Sequence, residues 1–549
     1  MSEPEVQPRW VWWAAATLLA GYVVMALVGR LPGIGVGNDD AMYFFLAKSL
    51  LQGTYRDIFL PTAPLHLQYP PGWPLLLALP VALLGDHPDL LLMVPLALTT
   101  GGLLLLFDAT RRLLPPVPSL AVLAVGVFNP LIITYGGRLK AEAALFFFAM
   151  LALWALASPA PSNRRLLLGA AAAIAAAFMR TAGVAVIAAV LLHFVFARRW
   201  RWAFGFALAS GLLFGPWLAW SVFGPRQLIG RSYAGDLLEV PGEQVLSEHN
   251  PLVVHAINAV LRLRRYVLGH LHAMMGFAQI QGTLVDNLAW LGLLLTAGLA
   301  GAVTLWKRFR VALLAIVCMF GLLSAWTWAD RRFLHPVIPL VGLLLFTGAH
   351  VIGRRLGRHG STLASLLVLL LLVPGTSWRT ADVLSRGMQC RQGELKRCYT
   401  PIELSFIRAA EAARQLPDSA VVMTNREAAF AYHSHHLAVY SVEAQGKTGA
   451  ELADFLASRR VSHIVLTRVA GGGPVALASQ LVELCGRLDT LGDFGEMTVM
   501  FGLRSQPSDS TRAARVCNLT ERLLAQAEAI HEEAGRNIDL FQLEETDER

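Results

Sequence analysis

Apolar runs of about 18 residues recur from residue 11 to about residue 378, and this repetition limits the fold more than any other feature of the chain. Each run is long enough to cross a hydrocarbon core of ~30 Å as a helix rising 1.5 Å per residue. Only helices and closed barrels satisfy the backbone in that medium. The Leu/Ala/Val runs lack the two-residue alternation of a barrel, so helices are expected. Composition agrees: 55% hydrophobic residues, 15% charged residues and a mean hydropathy of +0.51 over 549 residues are too apolar for a water-soluble globule. The first run follows a tail with Glu3, Glu5 and Arg9 and lacks a small-residue cleavage site, which predicts a retained span.

The net charge of +8 sits between the runs, in Arg111/Arg112, Arg164/Arg165, Arg198/Arg199/Arg201, Lys307/Arg308/Arg310 and Arg354/Arg355/Arg358. That is a positive-inside pattern and gives no nucleic-acid surface. Spans are expected at 11–29, 90–107, 118–134, 140–158, 166–179, 181–197, 203–223, 286–305, 311–328, 333–352 and 361–378, about eleven in all. The segment 72–84, "GWPLLLALPVALL", is too short to span and carries Pro74 and Pro80, so it reads as a helix lying in the outer interface. This parity predicts a cytoplasmic N-terminus, a first external loop at 30–89, a second at 224–285 and an extracytoplasmic C-terminal part, in a cell inner membrane.

Residues 1–378 thus form a transmembrane domain, and the character changes after about 379. Strand-like runs at 420–424, 437–442 and 463–467 alternate with helical stretches at 402–416, 426–434 and 449–460, predicting a soluble α/β domain over 379–507. A helix-prone tail, 508–549, ends acidic. The fold class is therefore an α-helical polytopic membrane protein with a C-terminal soluble α/β domain. Cys390 and Cys398 could close a disulfide outside the cytoplasm or remain two thiols; Cys485 and Cys517 are less readable. His433, His435 and His436 read as surface polar residues, and no cysteine or histidine spacing suggests a zinc site.

The first loop holds the densest polar and aromatic set beside the membrane, including Asp39, Asp40, Tyr43, Asp57, His66 and Tyr69. A carboxylate at this boundary can take a proton from a hydroxyl in a partly dehydrated cleft. The structural alternative is that Asp39 or Asp40 caps a helix closed by Gly53. Cations expected at the outer face are Arg138, Lys140, Arg180, Arg331 and Arg332, where the positive-inside bias disfavours them. Binding a lipid phosphate is one reason for them, and snorkelling is the other. Glu142 is expected to pair with Arg138 in a structural role. A phosphate leaving group departs without a proton, so such a site needs one base and cationic stabilisation; Asp39 is the base candidate.

"GNDDAMYFFLAKSLLQGTYRD" resembles the first-loop signature of the C-type glycosyltransferases, the superfamily of the protein O-mannosyltransferases and the lipid A aminoarabinose transferases. "LQYPPGWPLLLALPVALLG", "AAAFMRTAGVAVIAAVLLHFVF" and "DRRFLHPVIPLVGLLL" are similar to further segments of its bacterial members, and "LPDSAVVMTNREAAFAYHSHHLAVYSV…VSHIVLT" to the domain that closes many of them. The resemblance implies transfer of a sugar from a polyprenyl-phosphate carrier to a glycan, lipid or protein acceptor at the outer face. It matches Asp39 to the catalytic aspartate and Asp40 to the acidic residue after it. Tyr43, Tyr69, Arg138, Arg180, Arg331, Arg332 and His335 are the expected substrate contacts. Gln68 stands where some relatives carry a glutamate. A divalent cation held by Asp39 and Asp40 is left open. Direct displacement would invert the anomeric carbon. The competing classes are a lipid or glycan flippase, which usually shows internal repeats absent here, and a non-catalytic envelope scaffold.

Overall fold

The computed structural model describes residues 8–536 apart from 32–33, 36, 159, 225–250, 278–283, 327–329, 358, 470–473 and 507–508. Most of the expected second loop and the acidic end of the tail therefore lie outside the described residues. Every interval expected to span contains an apolar helix. Among the described residues, five helices are long and apolar enough to cross a membrane alone, or six if one bent pair counts as a single span. The expected eleven do not all reach that length: Glu142–Leu156, Arg310–Ala325 and Ile338–Arg354 are shorter apolar helices packed within the bundle.

The interval 118–134 is two helices rather than one straight span, Pro116–Val127 and Pro130–Gly136, bent by 58°. Asn129 makes the break: its side chain accepts from Leu131 N at 3.0 Å and donates to Met274 O at 2.8 Å, while Pro130 opens the second helix. The second loop is not all loop, since Pro251–Arg264 is helical and continues through a π-helical stretch, Arg265–Leu271. Its sequence carries too many arginines to register as an apolar run.

Helix α1 spans Arg9–Val28, α2 Asp39–Leu51 and α3 Gly72–Leu84. The start of α2 corrects the capping expectation. Asp39 and Asp40 are its first two residues, where carboxylates favour the helix dipole, and Asn38 occupies the cap position with a left-handed φ of 55° and no side-chain cap. Gly53, at φ +73°, ends the helix as expected. Helix α3 turns Trp73, Leu77 and Val81 inward and leaves Leu75, Leu79 and Leu83 exposed, an apolar outer stripe at four-residue spacing that suits a lipid-facing helix. At Gly72 an added Cβ would lie 2.6 Å from Phe178 O, so this glycine lets α3 meet the helix Asn163–Met179.

The last long helix, Gly360–Arg391, runs through residue 378 without a break and delivers the chain to the C-terminal domain. There the strands β1 Val421–Thr424, β2 Leu437–Tyr440, β3 His463–Leu466, β4 Leu488–Asp493 and β5 Val499–Leu503 form one sheet in the order β2-β1-β3-β5-β4. β1 is parallel to β2 and β3, whereas β5 runs antiparallel to β3 and β4. The first three strands were expected. β4 and β5 were not, because "LDTLGD" carries few apolar residues and "VMFGL" is short. Both disulfides, Cys390–Cys398 and Cys485–Cys517, are closed, and the second ties the tail helix Ser510–Arg536 to the domain. His436 is buried, contrary to its surface assignment.

A hydrophobic cluster joins the two parts of the molecule. Tyr43, Phe44 and Leu46 of α2 and Trp73 and Leu77 of α3 pack in the same core as Phe406, Ala429 and Phe430 of the soluble domain. The Phe44 and Tyr432 rings meet edge-on at 5.5 Å, and Ala438 N, in β2, donates to Phe59 O of the first loop at 3.0 Å.

Candidate active site

Asp39 lies where four separate stretches of chain converge. Its Oδ1 accepts from Tyr69 OH at 2.9 Å, and its Oδ2 accepts from Arg332 Nη1 at 2.7 Å. Burial alone would raise this carboxyl, but the positive charges of Arg332, Lys140 and Arg180 outweigh it and hold Asp39 well below the usual carboxylate range. Asp40 is pushed the other way, chiefly by burial, with Lys140 opposing. Its Oδ1 accepts from Ala41 N at 2.9 Å. Two adjacent carboxyls thus have separated tendencies, Asp39 anionic and Asp40 drawn toward its neutral form.

Arg332 stands in a 3-10 turn, Arg331–Leu334, opened by Asp330, whose side chain accepts from Arg332 N at 2.8 Å. The Nε of Arg332 also lies 2.7 Å from Asp330 Oδ2 and 4.0 Å from Glu142 Oε1. Arg180 ends the helix Asn163–Met179 in an extended conformation, where the chain kinks before Val184–Phe196, and pairs with Glu142. Glu142 is therefore not the partner of Arg138, as its i+4 spacing suggested. It is a buried acceptor on which Arg180 and Arg332 converge, and the ring of Phe333 lies under both guanidinium groups, at 4.7 and 5.3 Å. Arg332, and not Arg331, reaches Asp39.

Lys140 is buried, its Nζ 5.8 Å from the Tyr135 ring, and among the described residues it forms no ion pair. Arg138 lies over the same ring at 5.7 Å. Tyr43 packs on Tyr69 with ring centroids 4.8 Å apart, supporting the phenol that meets Asp39. His335 is wholly buried behind the cluster, edge-on to Phe146 and Tyr135, and neither ring nitrogen is hydrogen bonded.

A small hairpin in the first loop holds Tyr69 in place. Arg56 and Leu65 form an antiparallel bridge, which holds the segments carrying Asp57 and His66 side by side. His66 Nε2 accepts from Tyr69 N at 2.8 Å, so its Nδ1 carries the proton and donates to Asp57 Oδ1 at 2.7 Å. Tyr55 OH donates to Tyr69 O at 2.8 Å, fixing the other side of that peptide. On the far side of Asp39, Asn38 Oδ1 accepts from Ala429 N at 3.1 Å and its Nδ2 approaches Glu427 Oε1 at 3.4 Å. Sequence reasoning missed these supports; the nine-residue spacing of Asp57 and His66 was the one local signal.

The residues present do not suit a divalent cation held by Asp39 and Asp40. Asp39 already accepts from a guanidinium, Lys140 brings a second positive charge, and no group of three potential ligands occurs among the described residues.

No protein-family model matches the chain, and no curated protein matches it. Solved structures do. The apo oligosaccharyltransferase of Archaeoglobus fulgidus superposes with a TM-score of 0.53 over 84% of this chain and 70% of its own, at 12% identity. Apo ArnT from Cupriavidus metallidurans gives 0.53 over 90% and 97%, at 14% identity. The A. fulgidus oligosaccharyltransferase AglB, in complex with an inhibitory peptide and a dolichol-phosphate, gives 0.51 over 92% and 77%, at 12% identity. The chain shares the fold of these solved structures, which is the fold that the resemblance of the short motifs implied. The match to ArnT runs through nearly the whole of both chains.

Proposed function

We propose that the protein is a membrane glycosyltransferase that moves a sugar from a polyprenyl-phosphate to an acceptor hydroxyl, with Asp39 as general base. The observation that carries this reading is the placement of one anionic carboxylate between Tyr69 and Arg332, beside the buried ammonium of Lys140. In this reading the donor phosphate binds at Arg332 and Lys140, with Arg180 adding charge from behind Glu142. A phosphate there draws on the cations that depress Asp39, so donor binding itself raises the basicity of the carboxylate. The acceptor oxygen forms a bond to the anomeric carbon as the carbon–oxygen bond to phosphate breaks. The electron pair stays on the phosphate oxygen, and the acceptor proton passes to Asp39 and then to water. Attack opposite the leaving group inverts the centre.

The soluble domain and Asp39 then face the extracytoplasmic side of an inner membrane, with the N-terminus in the cytoplasm. Two closed disulfides in the domain and the basic clusters at the other helix ends support that orientation.

Membranes carrying the wild type and Asp39→Asn are assayed for transfer from a panel of labelled polyprenyl-phosphate sugars. A loss of about 10²- to 10⁴-fold is expected. An unchanged rate for a verified donor removes Asp39 from the base role.

A further inference from the structure

The bundle has a second polar site, remote from Asp39. The helix Ile338–Arg354 begins three residues after His335 and extends about 25 Å at 1.5 Å per residue. Its far end borders a cavity of about 320 Å³, lined by Thr304, Arg308, Thr347, His350 and Arg354 with Leu113 on the apolar wall. Among the described residues no carboxylate lines it.

Three of its polar groups, Thr347, Arg308 and Arg354, have no hydrogen-bond or ion-pair partner among the described residues. Thr347 is 3% exposed, yet its hydroxyl makes no hydrogen bond. Helical threonines elsewhere in this bundle, Thr99, Thr100 and Thr376, each donate to the carbonyl four residues back, as does Thr304 on the cavity wall. His350 is buried, with Nδ1 engaged by Ser361, and the positive charges of Arg354 and Arg308 both bear on its ring. Arg308 and Arg354 close their helices but have no ion pair and donate to no carbonyl among the described residues. Arg111 and Arg112, near Leu113, are by contrast both paired with Asp108.

Two unpaired guanidinium groups, an unsatisfied hydroxyl and an imidazole around one cavity match the oxygens of a phosphate. Both helices present their carbonyl ends here, so an anion needs both arginines to offset the dipoles. The helices that carry the arginines also expose Leu299, Val303 and Ile352 along their outer faces, and Leu356 follows Arg354, so acyl chains can lie against the protein below a bound headgroup.

We propose that this cavity binds the phosphate headgroup of an anionic phospholipid, at the end of the bundle opposite Asp39. The full chain, purified in a neutral detergent, is heated with phosphatidylglycerol, with phosphatidylcholine or with inorganic phosphate, and unfolding is followed by tryptophan fluorescence. Phosphatidylglycerol is expected to raise the Tm by a few degrees, roughly the shift of a ligand well above its Kd, whereas phosphatidylcholine and inorganic phosphate leave it unchanged. The shift is expected to vanish in the Arg308→Gln/Arg354→Gln variant and to shrink in Thr347→Val, which keeps both charges. Stabilisation by inorganic phosphate that equals the lipid's and vanishes in the double variant overturns the lipid assignment in favour of a soluble phosphate. A phosphatidylglycerol shift that survives in the double variant, or none in the wild type, overturns the site.

Discussion

Asp39 Oδ2 lies 2.7 Å from Arg332 Nη1, across 293 residues of chain. Both side chains remain about one-fifth exposed, and a pair so placed adds on the order of 0–1 kcal/mol to stability. Its weight is therefore electrostatic: it sets the proton affinity of one carboxylate. In the proposed reaction Arg332 also meets the donor phosphate, so donor and base compete for the same cation.

Removing that cation moves the pH profile in a defined direction. Asp39 is held below its ordinary value of 3.8, so the wild type should keep an ionised base, and a flat kcat/KM, down to that pH. Arg332→Gln leaves burial less opposed, and the acid limb is expected to move up by about one unit or more. A limb that stays in place or moves down contradicts the tuning role.

Tyr69→Phe removes the hydrogen bond to Asp39 Oδ1 but keeps the ring that packs on Tyr43. A bond to a charged acceptor is worth about 1.5–3 kcal/mol, and kcat is expected to fall about 10- to 100-fold with little change in KM. An equal rise in KM with kcat intact would assign Tyr69 to substrate binding.

His66→Ala tests the support behind Tyr69. It deletes the acceptor of Tyr69 N and leaves Asp57 without its buried donor. Both kcat and Tm should fall, with kcat less affected than in Tyr69→Phe because the phenol is retained. Normal activity together with a lowered Tm would confine the hairpin to a structural role.

Glu427 gives a stability test whose sign is fixed by linkage. Burial raises its carboxyl from 4.5 to about 7, so the folded protein binds the proton more tightly than the unfolded chain. Its contribution is fullest below about pH 4.5 and is lost as pH rises to about 7, by up to ~3 kcal/mol. Glu427→Gln keeps an acceptor for Asn38 without the titration, so the Tm of the variant is expected to exceed that of the wild type at pH 8 and to fall to it or below near pH 5. A difference that does not change with pH between 5 and 8 would contradict this.

The bundle was legible because hydrophobic length is a local property, and Asp39 because a boundary carboxylate is conspicuous in an apolar chain. Arg180 was legible through its place between two helices. The partners of Asp39 were not, since nothing local ties residue 39 to residue 332. Glu142 shows the same limit: helical spacing pointed to Arg138, whereas packing brought Arg180 from another helix. Asn38 was hidden by its neighbours, because a residue before two aspartates looks like loop filler until the soluble domain is docked on it. The bend at Asn129 was written locally, as an Asn-Pro pair inside an apolar run, but hydropathy counts both residues as minor interruptions.

The clamp on Asn38 also has a consequence in time. A ribosome releases Asn38 early, but its partners Glu427 and Ala429 are nearly four hundred residues behind. The helix that bears the proposed base must therefore wait, half-assembled, until most of the chain has been made. A chain stopped after its last apolar helix would carry Asp39 and Arg332 and yet lack the two side-chain hydrogen bonds that hold Asn38 at the start of α2.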